Sequence, residues 1–204
     1  IKGEKTMKQE MKLTGKDLIN IGIYTAILFV LNFVAMFAGI VPFLWTILPG
    51  TAALLTAIPF AMMNLKVKKP GAILIMGAIV ALIYFVTGQF TVLLLITFVV
   101  ACIASEAIRF AFHYKDTFVT MTVSFIAFSF GMIGSPLPIW CYGESFFTQI
   151  AENGMTKEYI DTLRGFATTE NLILMLISPI IGGILGMLIA KVLFKKHFKN
   201  AGVV

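Results

Sequence analysis

Charge is what this chain has least of. Asp, Glu, Lys and Arg make up only 13% of its 204 residues, against about 25% in a soluble domain. With 59% hydrophobic residues and a mean hydropathy of +0.95, a soluble fold of this size could not hide its apolar surface, so lipid is the expected solvent. Histidine is scarce too. His113 and His197 both fall at the ends of apolar runs, which leaves no stack of acids and histidines to relay protons. The two cysteines, Cys102 and Cys141, lie inside one apolar run and just beyond another. They read as small apolar fillers and not as a disulfide or metal site. Catalytic signatures are missing as well. The P-loop pattern fails because Glu10 stands where its first glycine should precede Gly15-Lys16. There is no H-E-x-x-H, no G-x-S-x-G and no Cys/His cluster. The expectation is a chain that is not an enzyme and carries no metal or cofactor.

What is present is apolar length. Six segments approach the about 20 residues that cross a bilayer: 17–38, 45–65, 71–88, 90–112, 117–140 and 171–194. The third is short, and its connection at 88–90 is tight. The expected fold is an all-α membrane protein, one integral membrane domain over 1–204 with six transmembrane helices. Thr14 and Asp17 form an acidic variant of the capping box at the start of the first. Lys2, Lys5, Lys8, Lys12 and Lys16 resemble a signal peptide's basic region, but the apolar run after them is too long and no A-x-A site follows. A retained first helix is expected.

The charges sort themselves along this frame. With the N-terminus inside, every basic residue except Lys157 and Arg164 falls on the inner side. The outer side receives Glu144, Glu152, Glu158, Asp161 and Glu170. That is the positive-inside pattern, and it places both termini in the cytoplasm. It also accounts for the formal net charge of +6 as topology facing anionic headgroups, not as a nucleic-acid surface.

Residues 141–170 form an outer loop long enough to need a reason. Within it "TKEYIDTLRG" reads as a short helix capped by Thr156 and ended by Gly165, with Tyr159, Ile160 and Leu163 on one face. Phe146, Phe147 and Ile150 form a second apolar cluster, so the loop is expected to fold back as a lid. Small residues recur four apart at Gly22/Ala26, Ala53/Ala57/Ala61, Gly77/Ala81 and Gly182/Gly186/Ala190. Such rows let helices approach closely, within one bundle or against another subunit. Glu106 is the acid nearest a span's middle, with Arg109 at i+3 as its expected partner. Asn32, Trp45, Tyr84, Gln89, Ser135, Trp140, Tyr142, Glu144 and Asn171 gather in or beyond the outer half. An interfacial belt covers the tryptophans and Tyr142. Gln89, Ser135 and Asn171 fit better in an externally open pocket, and "SPLPIWCYGE" is its expected upper wall.

Six helices with both ends inside, a small-residue row on helix 1 and a folded outer loop resemble the substrate-binding S component of an energy-coupling factor (ECF) vitamin transporter. "KLTGKDLINIGIYTAILFVLNF", "LPGTAALLTAIPFAMMNLKVKKPGA", "ASEAIRFAFHYK" and "SPLPIW" are similar to the Trep_Strep group of such proteins. The resemblance implies a bacterial cell-membrane protein with an S-component-like bundle. It would bind a vitamin or precursor outside and dock on a transmembrane scaffold subunit driven by two cytoplasmic ATPases. Docking maps to Gly22 and Ala26, with Gly22 a departure from the family's usual alanine. Ligand binding maps to Trp45, Tyr84, Gln89, Ser135, Trp140, Tyr142, Glu144 and Asn171. A pocket without basic residues disfavours polyanions, and a hydroxymethylpyrimidine or pyridoxine-type cargo is expected. The rival is a self-contained secondary transporter, for which the interior prolines Pro59 and Pro179 speak.

Overall fold

Among the described residues four helices are long and apolar enough to cross a membrane, and two further apolar helices, Ala72–Val86 and Phe118–Gly134, are shorter. A computed structural model describes residues 12–88 and 91–194. Gln89 and the outermost basic residues, Lys2, Lys5, Lys8, Lys195, Lys196 and Lys199, lie outside the described residues. The long helices are α1 (Gly15–Met36), α3 (Leu48–Lys66), α5 (Val92–Ala111) and α10 (Thr169–Leu193). Between α1 and α3 lie a 3-10 turn, Phe37–Ile40, and the short α2 (Pro42–Thr46). The other elements are α4 (Ala72–Val86), α6 (Phe118–Ser129) with a 3-10 extension to Gly134, α7 (Pro138–Cys141), α8 (Glu144–Glu152) and α9 (Lys157–Gly165). No strand occurs among the described residues.

The six expected segments are all helical, with shifted ends. At 15 residues, α4 rises about 22 Å, less than the about 30 Å hydrocarbon core. The segment expected over 117–140 stops being a regular helix at Ser129, because its final turns tighten to 3-10 and Pro136 and Pro138 follow. Pro138 then opens α7 from its first turn, where a missing N–H costs nothing. The Thr14–Asp17 capping box forms, with Thr14 N donating to Asp17 Oδ2 at 2.7 Å.

α3 is the hub. It packs against α1, α6 and above all α10, and Ala53, Ala57, Phe60, Ala61 and Met63 along it are buried. Small residues make the α3–α10 seam possible. A Cβ on Gly186 would sit 2.7 Å from that of Ala57, and one on Gly182 would run into the Gly50 carbonyl. A Cβ on Gly77 would strike Cys102 Sγ across the α4–α5 contact. Three of the four small-residue rows are therefore spent inside the bundle. The fourth is not: a Cβ on Gly22 would meet nothing within 4 Å, and Ala26 is exposed beside Ile19, Ile23, Ile27 and Val30.

Glu106 does not pair with Arg109 as the i+3 spacing suggested. No ion pair joins them among the described residues, because each reaches a different loop. Glu106 accepts hydrogen bonds from the Gly71 and Ile73 amides at 2.8 and 3.1 Å, capping α4, and from Tyr114 Oη at 2.8 Å. Arg109 is 0% exposed. It donates to the carbonyls of Lys115 and Tyr114 and lies 3.7 Å from Asp116. Asp116 also pairs with Lys68, and Lys69 with Asp17 at 2.7 Å. This network ties the start of α1, loop 67–71 and loop 112–117 together at one end of the bundle. The loop carries two consecutive non-glycine residues with positive φ, His113 (52°) and Tyr114 (54°). L residues adopt that region only against a cost of about 1–2 kcal/mol each, which the surrounding bonds must offset. Burial and the bond to Glu106 hold the Tyr114 phenol above its usual range, so it stays a donor.

Candidate functional site

The opposite end of the bundle carries a roof. α8 and α9 form a helical hairpin with the turn at Asn153–Met155, where Gly154 takes φ 92°. Thr156 caps α9 by accepting from Tyr159 N at 3.3 Å, and Gly165 ends it as the spacing predicted. Both helices are strongly amphipathic, and their apolar faces meet in a small separate core of Ile139, Phe146, Phe147, Ile150, Ile160 and Leu163. The expected outer loop is thus a folded element with its own hydrophobic centre. Arg164 staples the hairpin from outside, with a bidentate pair to Glu144 (2.9 Å each), a bond to Asp161 and its guanidinium over the Phe147 ring.

Under this roof is a cavity of about 490 Å³, within the range typical of small-molecule sites. Its floor and inner wall come from the end of α1 and the turn after it (Met36, Gly39, Ile40), from Trp45, and from Leu48 and Ser135. The hairpin supplies Gly154, Met155, Thr156 and Tyr159. Tyr159 closes the two parts on each other. Its hydroxyl donates to the Gly39 carbonyl at 2.6 Å, and its ring lies 6.3 Å from that of Trp45. Burial raises the Tyr159 phenol above its usual range, which keeps it protonated as that donor. Trp45 also touches Phe146, 5.9 Å between centroids, and so links the cavity wall to the hairpin core. Among the described residues no charged side chain lines the cavity.

Of the residues expected to bind a ligand, Trp45 and Ser135 line this cavity. The others have different places. Tyr84 is buried deeper, where Asn32 Nδ2 donates to its hydroxyl at 2.7 Å beside the Met132 sulfur. Trp140 Nε1 donates to the Thr168 carbonyl at 3.0 Å, fixing α7 to the start of α10. Tyr142 is half exposed, and Glu144 is engaged by Arg164. Asn171 turns back onto Thr168 in the first turn of α10. Gln89 is outside the described residues. Sequence reasoning missed Met36, Gly39, Ile40, Leu48 and Met155 because apolar residues at helix ends carry no signal of their own. Tyr159 did carry one, the polar tip on an otherwise apolar helix face.

A bundle of apolar helices, four of them long enough to span a bilayer, with charge confined to its ends, is a multi-pass integral membrane protein. Residues 15–200 match the family model described as hypothetical bacterial integral membrane protein (Trep_Strep), and the chain belongs to that family. No curated protein and no solved structure matches it.

Proposed function

We propose that the chain is the membrane binding subunit for uptake of a small vitamin or vitamin precursor, working as the S component of an ECF-type transporter. The observation that carries this reading is the roofed cavity of about 490 Å³ at the end of the bundle opposite the basic loops. A positively charged end facing the cytoplasm would put that cavity outside, open to solutes. In this arrangement α4 and α6 complete six crossings and both termini are cytoplasmic. Gly22 and Ala26, unpacked on the exposed face of α1, would receive the scaffold subunit, and two ATPases would supply the energy this chain has no motif to extract. The cargo is of hydroxymethylpyrimidine or pyridoxine type.

The test has two arms. The detergent-solubilised chain is heated against a panel of B vitamins and precursors. A ligand at 100 times its Kd stabilises by about 2.7 kcal/mol, and silence across the panel removes the binding reading. Vesicles with the purified chain alone are then assayed for uptake. Transport without partners would favour the self-contained secondary carrier instead. Such carriers build their sites from broken helices, whereas Pro59 and Pro179 lie within uninterrupted α3 and α10.

A further inference from the structure

We infer that the roofed cavity takes an uncharged ligand whose polar edge is read by hydroxyl groups; this rests on the binding reading above and adds the charge class of the ligand. Among the described residues the lining holds no Asp, Glu, Lys, Arg or His. The charged groups of the hairpin are turned elsewhere. Glu144 and Arg164 neutralise each other on its exposed side, and Lys157, Asp161 and Arg164 border a separate outer groove. A carboxylate, phosphate or ammonium entering the cavity would lose water and find no countercharge, which costs far more than burying a neutral polar group that is hydrogen-bonded.

The hydroxyls divide the recognition work. Tyr159 commits its proton to the Gly39 carbonyl, so its oxygen is left to accept. Thr156 Oγ accepts from the Tyr159 amide, so its proton is left to donate. Ser135 Oγ has no hydrogen-bond partner among the described residues and serves as either. One acceptor, one donor and one of each suit an amide, lactam or hydroxymethyl edge. The walls suit the rest of such a molecule. The Trp45 and Tyr159 centroids are 6.3 Å apart, less than the about 7 Å that a third ring between them would need. A flat ligand therefore lies against this pair and not between its members, with the adaptable Met36 and Met155 on offer to fill the remaining space.

The experiment compares matched probes on the full chain in detergent by thermal shift and equilibrium dialysis. Nicotinamide is set against nicotinate and 1-methylnicotinamide, pyridoxine against pyridoxine phosphate, riboflavin against flavin mononucleotide, and hydroxymethylpyrimidine against thiamine. In any set with a binder, the neutral member should bind at least about tenfold more tightly. A charged member that binds as well as its neutral partner overturns the inference and leaves the binding reading standing. Silence in every set removes both. Thr156→Asp then moves the cavity's preference. Aspartate keeps the cap on α9 while adding a carboxylate to the lining, so the cations 1-methylnicotinamide or thiamine should gain and the neutral probe should weaken. Ser135→Asp repeats the test from the opposite wall. Unchanged rankings in both variants would show that the probes bind elsewhere and overturn the assignment.

Discussion

The two ends of this bundle are closed by different physics. At the basic end the loops are held by buried groups: Arg109 has no exposure, and Glu106 gathers two amides and a phenol. At the roofed end the apolar core is buried but the polar fastenings are peripheral. Arg164 and Glu144 are exposed, and among the described residues one hydrogen bond, Tyr159 to Gly39, joins the hairpin to the end of α1 across the cavity, beside the ring contacts of Trp45 with Phe146 and Tyr159. Buried charge networks cannot be partly undone, because each opened group strands another in low dielectric. Exposed pairs and single hydrogen bonds can. The difference makes one end a clamp and the other a more lightly fastened cover, which is the end where the proposed function needs a ligand to enter.

The largest effect that would break this comparison is at the clamp. Arg109→Ala should lower stability by about 3–5 kcal/mol, read from thermal unfolding in detergent. A variant that melts like the parent would show that the basic end is not a clamp. Next comes the helix seam. Gly186→Leu must displace Ala57 and the Leu54 carbonyl and should destabilise by about 1–3 kcal/mol. Gly22→Leu should change stability by no more than about 0.5 kcal/mol; under the proposed function it should also spare ligand binding yet block assembly with a scaffold subunit and uptake. If the two substitutions destabilise equally, the α1 row is not free.

Smaller effects belong to the cover. Tyr159→Phe removes one hydrogen bond worth about 1 kcal/mol. It should hardly move the melting temperature, but should speed hydrogen exchange over 36–40 and 144–165 and shorten ligand residence. Exchange confined to the parent rate would mean that the hairpin core, not Tyr159, keeps the cover shut. Arg164→Ala should have the least effect, a change in hairpin exchange that disappears at high salt.

Much of the helical frame was legible because membrane helices announce themselves by apolar length and by where charge stops. The Thr14 cap, the α9 helix from Thr156 to Gly165 and the helical segments needed only local chemistry. Glu106 was misread for the opposite reason. Its i+3 neighbour was visible in the chain, while the Gly71 and Ile73 amides, far away in sequence, were not. Trp140 and Asn171 looked like ligand-binding residues by type and position, yet their polar atoms find Thr168. A hydrogen-bonding side chain does not declare in advance whether its partner is a ligand or its own backbone.

The sequence by itself determined that this protein lives in lipid, where it is helical and which loops carry charge, since those follow from composition and from the 20-residue scale of a bilayer. Only the tertiary structure decided which of four similar small-residue rows is buried and which faces outward. The lid itself was expected from the apolar clusters of loop 141–170, but the structure alone decided which residues wall the cavity beneath it, namely apolar side chains and hydroxyls. Those outcomes depend on which surfaces meet across long stretches of chain, and no local pattern encodes that.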